Sequence, residues 1–415
     1  MRQGNKTLME SFLALFSMEV LGYILGFVTF PYLTHVLGVE KFGLIGFAMS
    51  ICEYFKLITT YSFYKTAPRD VAMASGQEAL KKIFASVFGA KICLLGISSV
   101  LYIFTIFSFP FFYQNVYVYM ALYFILLGDA LFPVWFFQGI EKMRFITTCN
   151  FIARIITTAA IFLFVQEPGD VAIAAFCQSA TTTISAVIAL GILLRQYPFV
   201  FAKPKVSEIA EQLRNGWTMF WSGLAVNLYI GTDTVLLGFL TNNTVVGYYT
   251  GAQRLVEVGK KIINTSATAI FPRASALFKE SQDSMEIFLK KWFKYLVMSG
   301  VFIGVIGTCF ADVIVHLILG NEFERSIPVL RIMIWLPAVI AVTQIYLNTT
   351  MLIRGWIQQY GRVVLWGAVI NILIIFPLIK FYEELGIAIA MLVTETIVML
   401  HACYIVEKKG IRYWR

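Results

Sequence analysis

The sequence predicts an all-α polytopic membrane protein with two related six-helix halves, and three observations carry that prediction. Of the 415 residues, 59% are apolar and only 14% are charged, a balance that soluble domains of this size do not show. The apolar residues form twelve runs, each about 20 residues or longer, which is the length a helix needs to cross the hydrocarbon core. One stretch of the first half also recurs in the second half.

The predicted spans have approximate bounds 8–36, 43–65, 84–109, 115–137, 145–165, 171–194, 216–239, 244–271, 291–318, 327–349, 360–380 and 385–406. An even number of spans per half returns the second half to the orientation of the first, so we expect a pseudo-two-fold axis along the membrane normal and a cavity between the halves. The predicted domains are an N-terminal six-helix bundle (1–195), a cytoplasmic amphipathic linker (196–215) and a C-terminal six-helix bundle (216–415).

The repeated stretch pairs residues 43–72 with residues 247–276 at a constant offset of 204, and nine of the 30 pairs are identical. Each copy opens on glycine, carries the motif E-x-x-K and is expected to stop at the Pro-Arg dipeptide of Pro68 or Pro272. A Glu and a Lys three residues apart lie on one helix face. We therefore expect something polar beside that face in each half.

The distribution of Lys and Arg predicts that both termini are cytoplasmic. In that orientation only Lys41, Arg325 and Lys380 lie in outer loops, whereas most other loop cations are inside. This placement accounts for the net charge of +9 without a nucleic-acid partner. The first apolar run contains Glu19 and lacks a small-x-small cleavage site, so it is predicted to be a retained span rather than a signal peptide.

Charged residues inside the spans are functional candidates, because each would cost about 2.5–3.5 kcal/mol or more if it faced lipid at a helix centre. In the second repeat copy, Arg254, Glu257 and Lys261 return to one helix face and Lys260 lies beside them. Three cations around one carboxylate favour an anionic cargo, and a planar guanidinium suits phosphate oxygens.

The first copy carries a weaker version of this face with Glu53 and Lys56. The alternative that such pairs only neutralise each other and hold two helices together remains open. Elsewhere, Arg154 lies too deep for easy snorkelling, whereas Lys91 lies near the inner end of its span and is expected to snorkel. Further acidic residues in the spans are Asp129, Asp233, Asp312 and Glu395.

No catalytic or cofactor motif is recognisable in the sequence. It contains no P-loop, no G-x-S-x-G and no H-E-x-x-H, and none of its six cysteines has metal-ligand spacing. No extramembrane segment is long enough to fold an enzymatic domain. We therefore expect a non-enzyme that uses no cofactor and no metal.

Several motifs resemble the Wzx (O-antigen transporter) family of polysaccharide-unit flippases, in the group that includes lipid II flippases and multidrug extruders. They are PYLTHVLG at 31–38, the Pro68-Arg69 dipeptide, PVWFFQGIEKMR at 133–144, DTVLLG at 233–238 and VGYYTGAQR at 246–254. The resemblance implies a MATE-like fold of two bundles around a V-shaped lumen. It also implies a bacterial inner-membrane protein that moves an undecaprenyl-diphosphate-linked oligosaccharide from the cytoplasmic to the periplasmic leaflet.

The cations expected to hold the diphosphate or acidic sugars are Arg254, Lys260, Lys261, Lys56 and Arg154. The carboxylates expected to couple H⁺ or Na⁺ are Glu53, Glu257, Asp129, Asp233 and Glu395. The expected partners are this lipid-linked glycan, the coupling ion, membrane lipid and other polysaccharide-assembly proteins. One alternative is a cation-coupled multidrug extruder, which would favour an acidic lumen. Another is a membrane glycosyltransferase or polymerase, which would need a larger outer loop than this chain offers.

Overall fold

The computed structural model describes the backbone of residues 2–414, and the side chains of residues 21–22, 25–221, 223–224 and 231–414. The described chain is helical and contains no β-strand, which confirms the all-α prediction. It divides into two compact units, Met1–Thr232 and Asp233–Arg415, here called the N-unit and the C-unit. The division falls inside one helix, and the predicted domain bounds at 195 and 216 stay a prediction.

The N-unit contains nine helices and most of a tenth, joined by short turns. They are α1 (Arg2–Thr60), α2 (Phe63–Ala72), α3 (Gln77–Ser108), α4 (Pro110–Tyr113), α5 (Val116–Leu122), α6 (Phe124–Leu131), α7 (Val134–Gly139), α8 (Met143–Phe164), α9 (Val171–Gln196) and α10 (Val206–Leu240). Two 3₁₀ turns, Pro168–Asp170 and Pro198–Val200, lie on either side of α9. The predicted amphipathic linker helix is thus the first part of the longer helix α10.

The C-unit continues from α10 through six further α-helices. They are α11 (Asn243–Glu280), α12 (Gln282–Cys309), α13 (Ala311–Ile318), α14 (Ser326–Met333), α15 (Leu336–Thr343) and α16 (Ile357–Lys408). A 3₁₀ turn, Asn321–Phe323, precedes α14, and a π-helix, Gln344–Met351, follows α15 directly.

Within the described residues, eight helical stretches are long and apolar enough to cross a membrane, so the chain is a multi-pass membrane protein. Two of these stretches contain a sharp turn. In α1, Gly38 has φ 70° and ψ 175°, and the rings of Phe30 and Phe42 on either side lie 5.8 Å apart, which a straight helix does not allow. In α16, Glu383 has φ 48° and turns the chain in the same way.

The two repeat copies differ at their C-terminal ends, and the predicted stop at Pro-Arg is wrong for both. In the first copy the helix ends earlier, at Thr60, where Tyr61 takes φ 47°, and α2 then runs through Pro68. In the second copy α11 continues through Pro272 to Glu280. Pro272 is exposed, so water at the membrane surface can satisfy the carbonyl group that loses its helical hydrogen bond.

Each unit has its own aromatic core at the predicted cytoplasmic end. In the N-unit the ring of Phe84 lies 5.4 Å from that of Trp135 and 5.3 Å from that of Phe136. In the C-unit the ring of Tyr346 lies 5.8 Å from that of Phe293 and 5.1 Å from that of Tyr413. Such aromatic pairs stabilise the folded protein by more than the burial of their surface area alone. They hold together the ends of the helices that contribute them.

Close helix packing in the C-unit depends on Gly300, where α12 crosses α15. A Cβ atom at this position would lie 2.6 Å from the Cα atom of Ala338, closer than van der Waals contact allows. The two backbones therefore approach each other only because residue 300 has no side chain.

We predict that Gly300→Ala lowers the melting temperature of the purified protein by several degrees, because overpacking a helix crossing costs about 1–3 kcal/mol. Gly361→Ala is the matched control, since a Cβ there meets nothing within 4 Å and alanine favours the helix by up to about 1 kcal/mol. Thermal unfolding in detergent measures both. Equal melting temperatures for the two variants would contradict this packing.

Candidate functional site

Helix α11 presents three different faces, and one of them is polar and exposed. Its buried face includes Ile263 and Ala267, and an exposed apolar face carries Val258 and Ile262. The exposed polar face consists of Glu257, Lys261, Asn264 and Thr268, whose spacings of four, three and four residues keep them on one side of the helix. In a membrane-spanning helix such a face is stable when it lines water rather than lipid.

The half-buried side chains of Arg254 and Lys260 flank this polar face. With Lys261, this part of α11 carries three cations and a single carboxylate, that of Glu257. The net charge of this part of α11 is therefore positive, as the sequence predicted.

The E-x-x-K motif forms the same ion pair in both repeat copies. The ammonium group of Lys56 lies 2.5 Å from the Glu53 carboxylate, and that of Lys260 lies 2.5 Å from the Glu257 carboxylate. Each pair joins two residues of one helix. Lysine at i+3 meets glutamate within a single turn, and no second helix is needed.

In the C-unit, the carboxylates of Asp233 and Glu395 both interact electrostatically with Lys260. Asp233 begins the unit and is 6% exposed, and its Oδ1 atom has no hydrogen-bond partner among the described residues. The charge of Lys260 acts on the carboxylates of both Asp233 and Glu395, and the charge of Glu395 also acts on Asp233. Lys260 thus forms an ion pair with Glu257 and acts electrostatically on two further predicted site residues of the C-unit, Asp233 and Glu395.

In the N-unit, Asp129 belongs to a separate cluster with Lys91. The Lys91 ammonium group donates to the backbone carbonyl of Asp129 at 2.8 Å and lies 3.6 Å from its carboxylate. The hydroxyl groups of Thr59 and Thr60 donate to Asp129 Oδ2 at 2.9 and 3.2 Å. Lys91 is only 5% exposed, so the expectation that it snorkels is wrong. Its carboxylate partner comes from a helix 38 residues further along the chain, which sequence depth alone does not reveal.

Arg154 lies against the first part of α1 rather than beside Asp129 or Glu53. Its Nη1 atom donates to the backbone carbonyl of Gly22 at 2.6 Å, and a Cβ atom at residue 22 would lie 3.3 Å from Nη1. The N-unit therefore distributes its predicted site residues over three places. In the C-unit, the carboxylate of Asp312 pairs with the guanidinium group of Arg331 at 2.5 Å, so these two charges neutralise each other.

We predict that Lys91→Met destabilises the protein by about 3–5 kcal/mol, because it leaves the Asp129 carboxylate without its buried counter-charge. Adding Asp129→Asn should recover most of that loss, since the amide oxygen still accepts from the two threonines. Lys56→Met is the control, because its pair is more exposed and should contribute only about 0.2–1 kcal/mol. A double-mutant cycle of unfolding free energies tests this, and additive losses would refute the pairing.

Comparison with known proteins places the chain in a family. The family described as "Polysaccharide biosynthesis protein" matches residues 8–278. A curated protein of Escherichia coli (strain K12), named "Putative O-antigen transporter", is 28% identical over 377 residues, which are 91% of this chain and 91% of that protein. A protein of the same name from Shigella dysenteriae is 27% identical and covers 94% of this chain and 98% of its own length.

Two solved structures share the fold at low sequence identity. The lipid II flippase MurJ, in an inward closed conformation, has a TM-score of 0.72 and 14% identity over 95% of this chain and 87% of that one. An inward-facing multidrug resistance MATE family transporter of the MOP superfamily has a TM-score of 0.66 and 12% identity over 91% of this chain and 92% of that one. The fold is therefore the MurJ and MATE fold, and the chain belongs to the Polysaccharide biosynthesis protein family.

Proposed function

We propose that this protein is a flippase that moves an undecaprenyl-diphosphate-linked oligosaccharide from the cytoplasmic to the periplasmic leaflet of the bacterial inner membrane. The observation that carries the proposal is the exposed, net cationic face of α11, a helix that is more polar than the eight apolar stretches and that the sequence predicts to cross the membrane at 244–271. Membership of a polysaccharide biosynthesis family and the names of the E. coli and Shigella relatives support the same cargo class.

The proposed architecture is twelve transmembrane helices in two six-helix bundles, at residues 1–195 and 216–415, with both termini cytoplasmic. The turns inside α1 and α16 support this count, since each divides one long apolar stretch into two segments. Transport would proceed by alternating access, in which each bundle moves largely as a rigid body.

In this mechanism the cations lower the barrier for moving a diphosphate across hydrocarbon. Arg254 and Lys261 hold the phosphate oxygens, because a guanidinium group offers a planar pair of donors and an ammonium group adds a mobile charge. Lys260 keeps Glu257 as its counter-ion while the site is empty. Lys56 and Arg154 provide further contacts with the diphosphate or with acidic sugars, and the polyprenyl chain stays in the lipid.

Coupling to H⁺ or Na⁺ is assigned to the carboxylates of the spans. Asp233 and Glu395 are the strongest candidates, because Asp233 is buried with one oxygen that lacks a partner among the described residues and Glu395 lies within reach of its charge. A proton or a sodium ion would offset the cost of two carboxylates that share one lysine. Glu257, Glu53 and Asp129 are the remaining candidates, already paired with lysines.

A cation-coupled multidrug extruder is the second candidate, because a MATE family transporter shares the fold. The charge on α11 opposes it, since three cations beside one carboxylate repel a cationic drug. We also do not favour a polymerase or glycosyltransferase, because its acidic catalytic groups would need a larger outer loop than this chain has.

The proposal is tested by reconstituting the purified protein into vesicles whose inner leaflet alone carries the lipid-linked glycan. A glycosidase or lectin added outside should gain access to the glycan within minutes, and protein-free vesicles should stay closed to it. Vesicles with the protein that release a cationic dye but never expose the glycan would instead support the extruder.

We predict that Arg254→Ala abolishes flipping while the protein stays in the membrane at its usual amount. Arg254→Lys should restore only part of the rate, because an ammonium group lacks the planar fork of the guanidinium group. Arg362→Ala is the control, since that arginine is exposed near the start of α16, outside the polar face. If Arg254→Gln combined with Glu257→Gln flips at the wild-type rate, the arginine does not hold the cargo.

The predicted topology is tested by cysteine labelling of intact cells with an impermeant thiol reagent. Cysteines at Thr241 and Asn321 should react from outside, because both residues lie in short turns assigned to the periplasm. A cysteine at Ser207, near the start of α10, should react only after the cells are permeabilised. Labelling of residue 207 in intact cells would overturn the twelve-span arrangement.

A further inference from the structure

A chain of three side-chain amides continues the polar face of α11 towards the π-helix. Gln344 Nε2 donates to Asn264 Oδ1 at 2.7 Å, and Asn348 Nδ2 donates to Gln344 Oε1 at 3.1 Å. These three residues, Asn264, Gln344 and Asn348, are here called the amide chain. Neither the sequence motifs nor the cation site accounts for them.

The π-helix presents two of these amides selectively. Of its eight residues, Gln344–Met351, only Gln344 and Asn348 escape burial, and the other six pack into the C-unit core. The hydroxyl group of Thr350 stabilises the wider turn by donating to the carbonyl of Ile345 at 2.7 Å. π-helical turns are rare and are frequently found at functional sites, and this one directs both amides to the exposed side.

A purely structural role explains the amide chain poorly. Hydrogen bonds between side-chain amides contribute only about 0.5–1.5 kcal/mol net even in favourable cases, and here Asn264 is exposed to solvent. The cores around Tyr346 and Ile263 already hold α11 and the π-helix together. Among the described residues, no hydrogen bond occupies the NH₂ group of Asn264 or the Oδ1 atom of Asn348, so both ends of the amide chain are available to a ligand.

The chemistry of the amide chain fits sugar hydroxyl groups. An amide carries both donors and acceptors and no charge, as a hydroxyl group does. If all three amide groups rotate together by half a turn, the donor end of the chain becomes the acceptor end. The amide chain can therefore bind a hydroxyl group that donates or one that accepts at either end. Asn264 also follows Lys261 by three residues, a rise of about 4.5 Å along α11, so a sugar there would adjoin a phosphate held by the cations.

We propose that the amide chain is the glycan-binding subsite of the protein, and that it recognises the neutral hydroxyl groups of the sugars attached to the diphosphate. This inference rests on the proposed flippase function and adds a division of labour to it. The cations of α11 bind the diphosphate that all such cargoes share, and the amide chain selects the glycan. A site built to hydrogen-bond hydroxyl groups discriminates against a cargo that lacks them, because its own polar groups are then left unpaired.

The test compares two lipids for binding to the purified protein in nanodiscs: undecaprenyl diphosphate alone, and the same lipid carrying the repeat-unit oligosaccharide of the source bacterium. The wild type should bind the glycan-bearing lipid at least about tenfold more tightly, the ratio that roughly 1.4 kcal/mol gives. Gln344→Met keeps the side-chain length and removes the amide. It should weaken binding of the glycan-bearing lipid about tenfold and leave the bare lipid unchanged.

Three further variants complete the design. Asn348→Leu, at the far end of the chain, should act like Gln344→Met, which guards against local misfolding in either one. Gln358→Met is the matched control, because that exposed glutamine lies outside the amide chain and should change neither affinity. Arg254→Gln should weaken both lipids equally.

Two outcomes overturn the subsite. One is that Gln344→Met and Asn348→Leu leave both affinities unchanged or lower both by the same factor. The other is that the wild type binds the two lipids equally, which would leave the flippase proposal standing on the diphosphate alone. A wild-type protein that binds neither lipid would refute the proposed function itself, and the subsite with it.

Discussion

The cost of placing charge in hydrocarbon is the constraint on which the rest of this structure depends. A charged side chain inside a span must meet a counter-charge or water, because lipid offers neither. The N-unit uses the first solution for Asp129, which pairs with Lys91 and accepts from two threonines. In the proposed twelve-span arrangement the C-unit also uses the second, because α11 collects its polar residues on one exposed face.

This distinction ranks the charges as candidates for transport, and it places the Asp129 cluster below the charges of α11. The Asp129 cluster is satisfied by neighbours within its own unit, so its charges can stabilise the helix packing whether or not a cargo is present. Helix α11 carries three cations and one carboxylate, of which Lys260 and Glu257 form an ion pair, and its polar face continues into uncharged amides. Such a gradient from positive charge to neutral hydrogen-bonding groups matches a cargo that is itself a diphosphate followed by sugars.

The sequence predicted local features well and contacts between distant helices poorly. The ion pairs of the E-x-x-K motif depend only on a spacing of three residues, and both formed with equal distances. The sequence shows how deep Lys91 lies in its span, but it does not show that Asp129 is its partner. The prediction that Lys91 snorkels is wrong for that reason. The π-helix was also missed, because its backbone pattern depends on how residues 344–351 pack and leaves no periodicity in the sequence. Without the π-helix, the hydrogen bonds of the amide chain could not be predicted either.

The claim at the centre of this account is that the polar face of α11 lines a water-filled path for the cargo. A cysteine scan of α11, in a background without native cysteines, tests it most directly when it is labelled with a water-soluble thiol reagent. Cysteines at 257, 261, 264 and 268 should react quickly and should be protected by the lipid-linked glycan, whereas cysteines at 258 and 262, on the apolar face, should stay unlabelled. Equal labelling on the two faces, or no protection by the glycan, would contradict the account.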